Sequence, residues 1–217
     1  MKPAIEPHFI TLEHIRRAVK LSDAFDPASA QEHMAPKPRG ILPQNRDIPP
    51  REAGVLALVY PEPDDGLHVV LTRRADSLRS HSGQISFPGG KRDPQDTSFT
   101  ATALRETCEE LGICNQAAIT ILGMLTAFYI PPSHFNVYPT VAHIDTKPTF
   151  QPNPAEVAEV FSFGLHQLLD SQNKHTEYHT YNGNRVRIPY YLVRGHKVWG
   201  ATAVMLSELE QRLKSVL

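Results

Sequence analysis

Gly90-Lys-Arg-Asp93-Pro-Gln-Asp96-Thr-Ser-Phe-Thr-Ala-Thr-Ala-Leu-Arg105-Glu106-Thr-Cys-Glu109-Glu110-Leu-Gly112-Ile113 is the stretch on which the fold and the chemistry of this chain turn. A helix is expected from Ser98 to Leu111, with Gly112 placed to terminate it. At about 100° per residue, Glu106, Glu109 and Glu110 share a little over one quadrant of the helix surface. Ala101, Leu104, Cys108 and Leu111 gather on the opposite side, so one face should enter a core while the other presents three carboxylates. Like charges at such spacing weaken a helix by a few tenths of a kcal/mol per pair. A hard divalent cation, Mg²⁺ or Mn²⁺, would compensate, since such ions favour carboxylate oxygens and keep waters for substrate phosphates. The plainer alternative is a solvated acidic face steadied by Arg105.

Just before this helix, Phe87-Pro88-Gly89-Gly90 puts two glycines at a strand end, where backbone can approach an ion or a phosphate closely. Between Leu71 and Arg92 lie Arg73, Arg74, Arg79, His81, Lys91 and Arg92, against Asp76 alone. A locally positive stretch beside a carboxylate helix suits an anionic, phosphorylated small molecule held against metal.

The wider chain is consistent with a soluble enzyme. It has 217 residues, 41% hydrophobic and 21% charged, which is ample for a buried core. Twenty-two Lys and Arg against 23 Asp and Glu give a net charge of -1 and argue against nucleic-acid binding. No Asp, Glu, Lys or Arg occurs from Leu111 to Ile144, yet glycines, prolines and amides interrupt that run before about 20 apolar residues accumulate. Two buried strands joined by a proline loop account for it better than a membrane span. Met1 to Ile10 lacks the apolar core of a secretory signal. Cys108 and Cys114 cannot make a disulfide framework, so a reducing, cytoplasmic setting is expected. Neither cysteine has a base partner in the sequence that would suggest nucleophilic catalysis.

Outward from the central stretch, Gly54-Val-Leu-Ala-Leu-Val-Tyr60 reads as a central strand buried on both faces. His68–Thr72, Ile85–Phe87, Ile119–Ala127 and Val137–Ile144 read as further strands. Asn182-Gly183 marks a hairpin between Glu177–Tyr181 and Arg185–Val193. Trp199–Leu217 closes the chain as an amphipathic helix. Residues 1–50 form an extension, with a helix opened by Thr11 and carrying Leu12, Ile15 and Val19, then an irregular proline-rich connector from Pro36 to Pro50. Residues 51–217 form a layered α/β (α+β) domain.

The quoted stretch resembles the Nudix box, G-x5-E-x7-R-E-U-x-E-E-x-G-U, with Arg105-Glu106, Glu109-Glu110 and Gly112-Ile113 in place. Two departures stand out. Thr107 occupies the position of a bulky aliphatic residue, and the loop is one residue longer, so Asp96 can stand in for the missing glutamate only if that loop bulges. The preceding stretch, Leu71-Thr-Arg73-Arg74-Ala-Asp-Ser-Leu-Arg79-Ser-His81-Ser-Gly83-Gln84-Ile-Ser-Phe87-Pro88-Gly89-Gly90, resembles the extra signature of the coenzyme A pyrophosphatase branch, whose members share the longer loop. The resemblance runs from about Arg51 to Leu206.

That resemblance implies a Nudix fold, a mixed β-sheet sandwiched between α-helices. It implies Glu106, Glu109 and Glu110 as catalytic ligands of Mg²⁺ or Mn²⁺, with a carbonyl near Gly89 or Gly90 helping and Arg105 locking the glutamates in place. Glu156 is the candidate supporting base or additional ligand, although Asn153-Pro-Ala-Glu156 also resembles a cap. With coenzyme A or an acyl-CoA as substrate, the products are 3′,5′-ADP and 4′-phosphopantetheine or its acyl derivative. Arg73, Arg79 and Lys91 are expected to meet the phosphates. His81 is either a ligand contact or a packed histidine. Another nucleoside diphosphate derivative such as ADP-ribose or NADH, or an inactive nucleotide-sensing domain, are the rival readings. No nucleic acid or membrane partner is implied, and a homodimer is left open.

Overall fold

A computed structural model describes residues 10–21, 25–38, 48–77, 81–181 and 183–217. Among them run the helices α1 (Leu12–Val19), α2 (Pro27–Glu32), α3 (Phe99–Leu111) and α4 (Gly200–Lys214). The strands are β1 (Arg51–Glu62), β2 (Gly66–Arg74), β3 (Ile85–Ser86), β4 (Gly89–Lys91), β5 (Ile119–Met124), β6 (Phe128–Ile130), β7 (Phe135–Ile144), β8 (Val157–Gly164), β9 (Lys174–Tyr181), β10 (Asn184–Val193) and β11 (His196–Trp199). Residues 39–47 of the expected connector, together with Arg79 and Asn182, lie outside the described residues.

β1 is the spine of the larger, mixed sheet. It pairs in parallel with β7 and antiparallel with β2 and β4, while β8 extends the sheet beyond β2 and β5 and β6 pair with β7. Apolar clusters cover both faces of this strand, and Leu56 to Val59 are all 0% exposed. Alternation sends Leu56, Leu58 and Tyr60 to one face, with Ala103 and Leu111 of α3. Ala57 and Val59 go to the other, in the cluster that holds Ile15 of α1 and Leu206 and Leu209 of α4. Each fully buried leucine contributes about 1.5–3 kcal/mol. The result is a mixed sheet between helices, as the sequence implied. β9, β10 and β11 form a separate antiparallel sheet.

The helix opened by Thr11 is present, its hydroxyl accepting the His14 N–H at 3.2 Å. With α2 it packs on α4. Gln31 reaches Glu208 at 2.8 Å, the Ser207 hydroxyl donates to the Ala30 carbonyl at 2.7 Å, and Arg212 donates to the Ala18 carbonyl at 3.2 Å. α2, β6 and β11 are not anticipated by sequence pattern, because each is too short to display a period.

Two expectations about α3 need correction. Its core side is formed by Thr102, Ala103, Thr107, Glu110 and Leu111, so Cys108 is only half-buried and one of the three carboxylates is on the inner side. The cause is contact at Gly54, which lies so near the start of α3 that a Cβ there would sit 2.9 Å from the Thr102 Cβ and overlap the Phe99 carbonyl. Thr107 is tolerated inside because its hydroxyl donates to the Ala103 carbonyl at 2.7 Å. The cysteines, expected to be separate thiols, instead form a disulfide across the helix end. Gly112 turns the chain there with φ 73°, bringing the two Cα atoms to 4.5 Å.

Candidate active site

The site is assembled where β4 meets α3. Ser98 opens the helix by accepting the Ala101 N–H at 3.0 Å, and the glutamates follow two turns later. β4 lies against Ala53–Val55 of β1. Gly89 has φ 146°, a conformation that essentially only glycine adopts. Any side chain at Gly90 would overlap the Glu106 carboxylate. The two glycines therefore let a strand backbone press directly onto a pair of carboxylates.

Glu110 is 3% exposed and accepts the Gly89 N–H at 3.1 Å. Burial pushes its carboxyl up to about 7. The Gly89 hydrogen bond and the charge of Arg74 oppose that rise, and Glu106 and Glu156 add to it. Burial also raises Glu106, against the pull of Arg105. Glu109 is more open, with its side chain 52% exposed and an ion pair to Arg105 at 3.0 Å. At Glu106 and Glu110 burial disfavours negative charge unless a cation is supplied.

Arg105 is held from several sides. Its Nε and Nη2 reach the two oxygens of Asp96 at 3.1 and 3.0 Å, Nη2 donates to the Lys91 carbonyl at 3.0 Å, and Nη1 lies 3.0 Å from Glu106. The hydrogen bonds from Arg105 hold the Asp96 carboxyl well below the usual carboxylate range. The longer loop does bulge. Asp96 N–H donates to the Asp93 carbonyl at 3.0 Å and Asp93 N–H returns to Asp96 Oδ2 at 2.9 Å, which folds the extra residue into a tight turn.

Glu156 sits in a turn hung from the end of α3. Gln151 and Asn153 donate backbone N–H groups to the carbonyls of Leu111 and Glu110 at 2.8 and 2.9 Å. Asn153 Nδ2 donates to Glu156 Oε1 at 3.2 Å. The resemblance to a helical cap ends in a turn, because β8 starts at the next residue. The charge of Glu156 is felt by both Glu106 and Glu110.

The basic residues divide. Arg73 is paired with Asp76 at 3.1 Å and Glu159 at 3.5 Å, and strand alternation puts it with Val69 and Leu71 on the face away from α3. Lys91 is exposed and contributes its carbonyl to Arg105. His81 is exposed, with Nδ1 2.9 Å from Gln84 Oε1. Asp96, expected to stand in for the missing glutamate, and Arg74, named only within the positive stretch, both matter here. Asp96 anchors Arg105, and Arg74 lies close enough to affect Glu110 electrostatically. The signal for Arg74 was strand parity, usable once the face covered by α3 is known.

Among the described residues no three His, Cys, Asp or Glu side chains already converge into a metal cage. The donor chemistry fits a hard divalent cation nonetheless. Two carboxylates are pushed up by burial, like charges surround them, and a glycine backbone lies against them. Glu106, Glu109 and Glu110 are the groups that could hold it.

The family model of the NUDIX domain matches residues 50–182. An uncharacterized Nudix hydrolase NudL from Photorhabdus laumondii is 34% identical over 196 residues, covering 90% of this chain and 99% of that protein. A NudL from Yersinia pestis (strain Pestoides F) is 38% identical over 165 residues, covering 75% and 80%. Among solved structures, the Nudix hydrolase RenU from M. smegmatis aligns with TM-score 0.50 and 19% identity over 78% of this chain and 86% of its own. A MutT/nudix family protein from Enterococcus faecalis aligns with TM-score 0.53 and 17% identity over 95% and 76%. With matching family, relatives and fold, this chain belongs to the Nudix family and is a Nudix hydrolase.

Proposed function

We propose that the chain hydrolyses the pyrophosphate bond of coenzyme A or an acyl-CoA, giving 3′,5′-ADP and 4′-phosphopantetheine or its acyl derivative. The observation that carries the diphosphatase chemistry is the pair Glu106 and Glu110, partly or wholly buried against Gly89-Gly90. The choice of coenzyme A rests on the stretch from Leu71 to Gly90, which resembles the branch signature and runs directly into that corner.

In this reading Glu106, Glu109 and Glu110 hold Mg²⁺ or Mn²⁺. When bound there, such an ion would supply charge neutralisation on the phosphoryl oxygens and a more acidic water. Water oxygen adds to one phosphorus, the P–O–P bridge breaks, and the bridging oxygen leaves with the other phosphate. Arg105 keeps Glu106 and Glu109 oriented and is itself anchored by Asp96. Glu156 serves as the supporting base that receives the water proton. Gly89 N–H fixes one oxygen of Glu110, leaving the other for coordination. Lys91 and His81, both exposed, together with Arg79, which lies outside the described residues, are the sequence candidates to meet the anionic substrate. A cytoplasmic setting goes with this substrate.

Phosphorus NMR of coenzyme A incubated with the protein and Mg²⁺ tests the proposal, alongside acyl-CoA, ADP-ribose and NADH. The expected result is 3′,5′-ADP and 4′-phosphopantetheine, formed faster than products from the rivals. Faster turnover of ADP-ribose or NADH would overturn the substrate assignment.

A further inference from the structure

Four arginines lie on or near the strands and helix that form the glycine corner, and one differs from the rest. Arg73 is committed to Asp76 and Glu159, Arg92 to Glu52 and the Asp96 carbonyl, and Arg105 to Asp96, Glu106 and Glu109. Arg74 has no such partner. Its Nε is buried without a hydrogen bond, and among the described residues its guanidinium enters no ion pair. A buried guanidinium nitrogen left unpaired is costly, so its retention calls for an acceptor.

Arg74 is also placed with unusual firmness. Its N–H donates to the Gln84 carbonyl at 3.0 Å, its carbonyl accepts the Gly83 N–H at 3.2 Å, and the next residue, Ala75, donates to the Glu156 carbonyl at 2.8 Å. The register between β2 and β8 slips by one residue beside it, so that Arg74 faces Val157, which packs in the α3-side cluster. Alternation from Val70 puts Arg74 on that same face. It is near enough for its charge to lower the Glu110 carboxyl, yet it does not close onto it.

We propose that Arg74 is a substrate-binding residue whose guanidinium takes a non-bridging oxygen of the substrate's diphosphate beside the carboxylate cluster. The inference rests on the diphosphatase reading of the site and adds the residue that grips the anion. A planar fork of donors fits a phosphoryl group better than a point charge does.

Calorimetry with inorganic pyrophosphate in the presence of Mn²⁺, and Mn²⁺ binding measured separately, form the test. Arg74→Gln should weaken pyrophosphate binding by about 10- to 100-fold, the scale of a charged hydrogen bond, with Mn²⁺ affinity changed by a far smaller factor. Arg74→Lys should recover part of that loss, and it carries the test if Arg74→Gln fails to fold. Unchanged pyrophosphate binding in either variant overturns the inference. Equal loss of Mn²⁺ and pyrophosphate binding also overturns it, since Arg74 would then merely prop the carboxylates. Should the wild-type protein bind pyrophosphate through Arg74 yet cleave no diphosphate substrate, the proposed function falls and what stands is diphosphate binding by Arg74, without the role toward a substrate.

Discussion

Two helices of this molecule bury glutamates, and they do so in opposite ways. On α4, Glu208 is 0% exposed and fully engaged, receiving Arg212 Nε at 2.9 Å, Gln31 Nε2 at 2.8 Å and the Thr126 N–H at 2.9 Å. Two residues on, Glu210 is met by the Tyr191 hydroxyl at 2.7 Å and by Lys174 and Lys214, each at 2.5 Å. On α3, Glu110 is nearly as deep, yet it accepts one N–H and has two other carboxylates in its field. A buried charge with a full set of partners joins elements of the fold, here the N-terminal helices to the last helix. A buried charge short of partners stores an affinity for something absent from the chain. Burial alone therefore does not separate the two kinds of glutamate; the number of their partners does.

The comparison predicts contrasting mutants. Glu110→Gln keeps the shape and the acceptor for Gly89, so the protein should fold while metal-dependent turnover drops about 10²- to 10³-fold, the scale of removing one preorganised electrostatic group. Steady-state kinetics with coenzyme A checks this. Glu208→Gln should do the reverse. It leaves Arg212 buried without its carboxylate, at a cost of about 3 kcal/mol. Calorimetric unfolding should show a fall of about 6–12 °C, with turnover per folded molecule kept. Turnover falling in step with Glu110→Gln would erase the distinction between the two helices.

How far this contrast was legible beforehand depends on what a linear pattern can carry. The apolar run from Gly54 to Tyr60 shows a strand with neighbours on both faces, and the grouping of Glu106, Glu109 and Glu110 follows from helical spacing alone. Which of those three turns inward does not, because the depth of α3 is set by its contact with Gly54. Arg73 is the phosphate contact expected from sequence and its neighbour Arg74 is not, and only the face covered by α3 separates the two. Asp96 needed the turn closed by Asp93, and the disulfide needed the left-handed Gly112. Each of these depends on a contact between elements or on a single backbone angle, which no local period encodes.

Smaller effects sharpen the comparison. Reducing the Cys108–Cys114 bond opens a short loop worth on the order of 2 kcal/mol in chain entropy. The thermal midpoint should fall by about 4–8 °C, and an unchanged midpoint would show the bridge to be energetically idle. With divalent ions removed by a chelator, pH acts through Glu110. Its carboxyl at about 7 in the folded chain lies above the ordinary 4.5, so the folded state keeps a proton that the unfolded state has lost. Stability from this group is therefore present below about 4.5 and lost as pH rises to about 7. The thermal midpoint of the wild type relative to Glu110→Gln should decline over that window, and Mg²⁺ should restore it. Smallest is Asp96→Asn, which loosens Arg105 without touching a carboxylate ligand and should reduce kcat about tenfold.

Most direct of all is anomalous scattering from crystals soaked in Mn²⁺. A peak between α3 and the Gly89-Gly90 corner, near Glu106 and Glu110, is the predicted result. No peak there with pyrophosphate present, or manganese found instead at Glu208 and Glu210, would contradict the division between a helix that awaits a cation and a helix already complete.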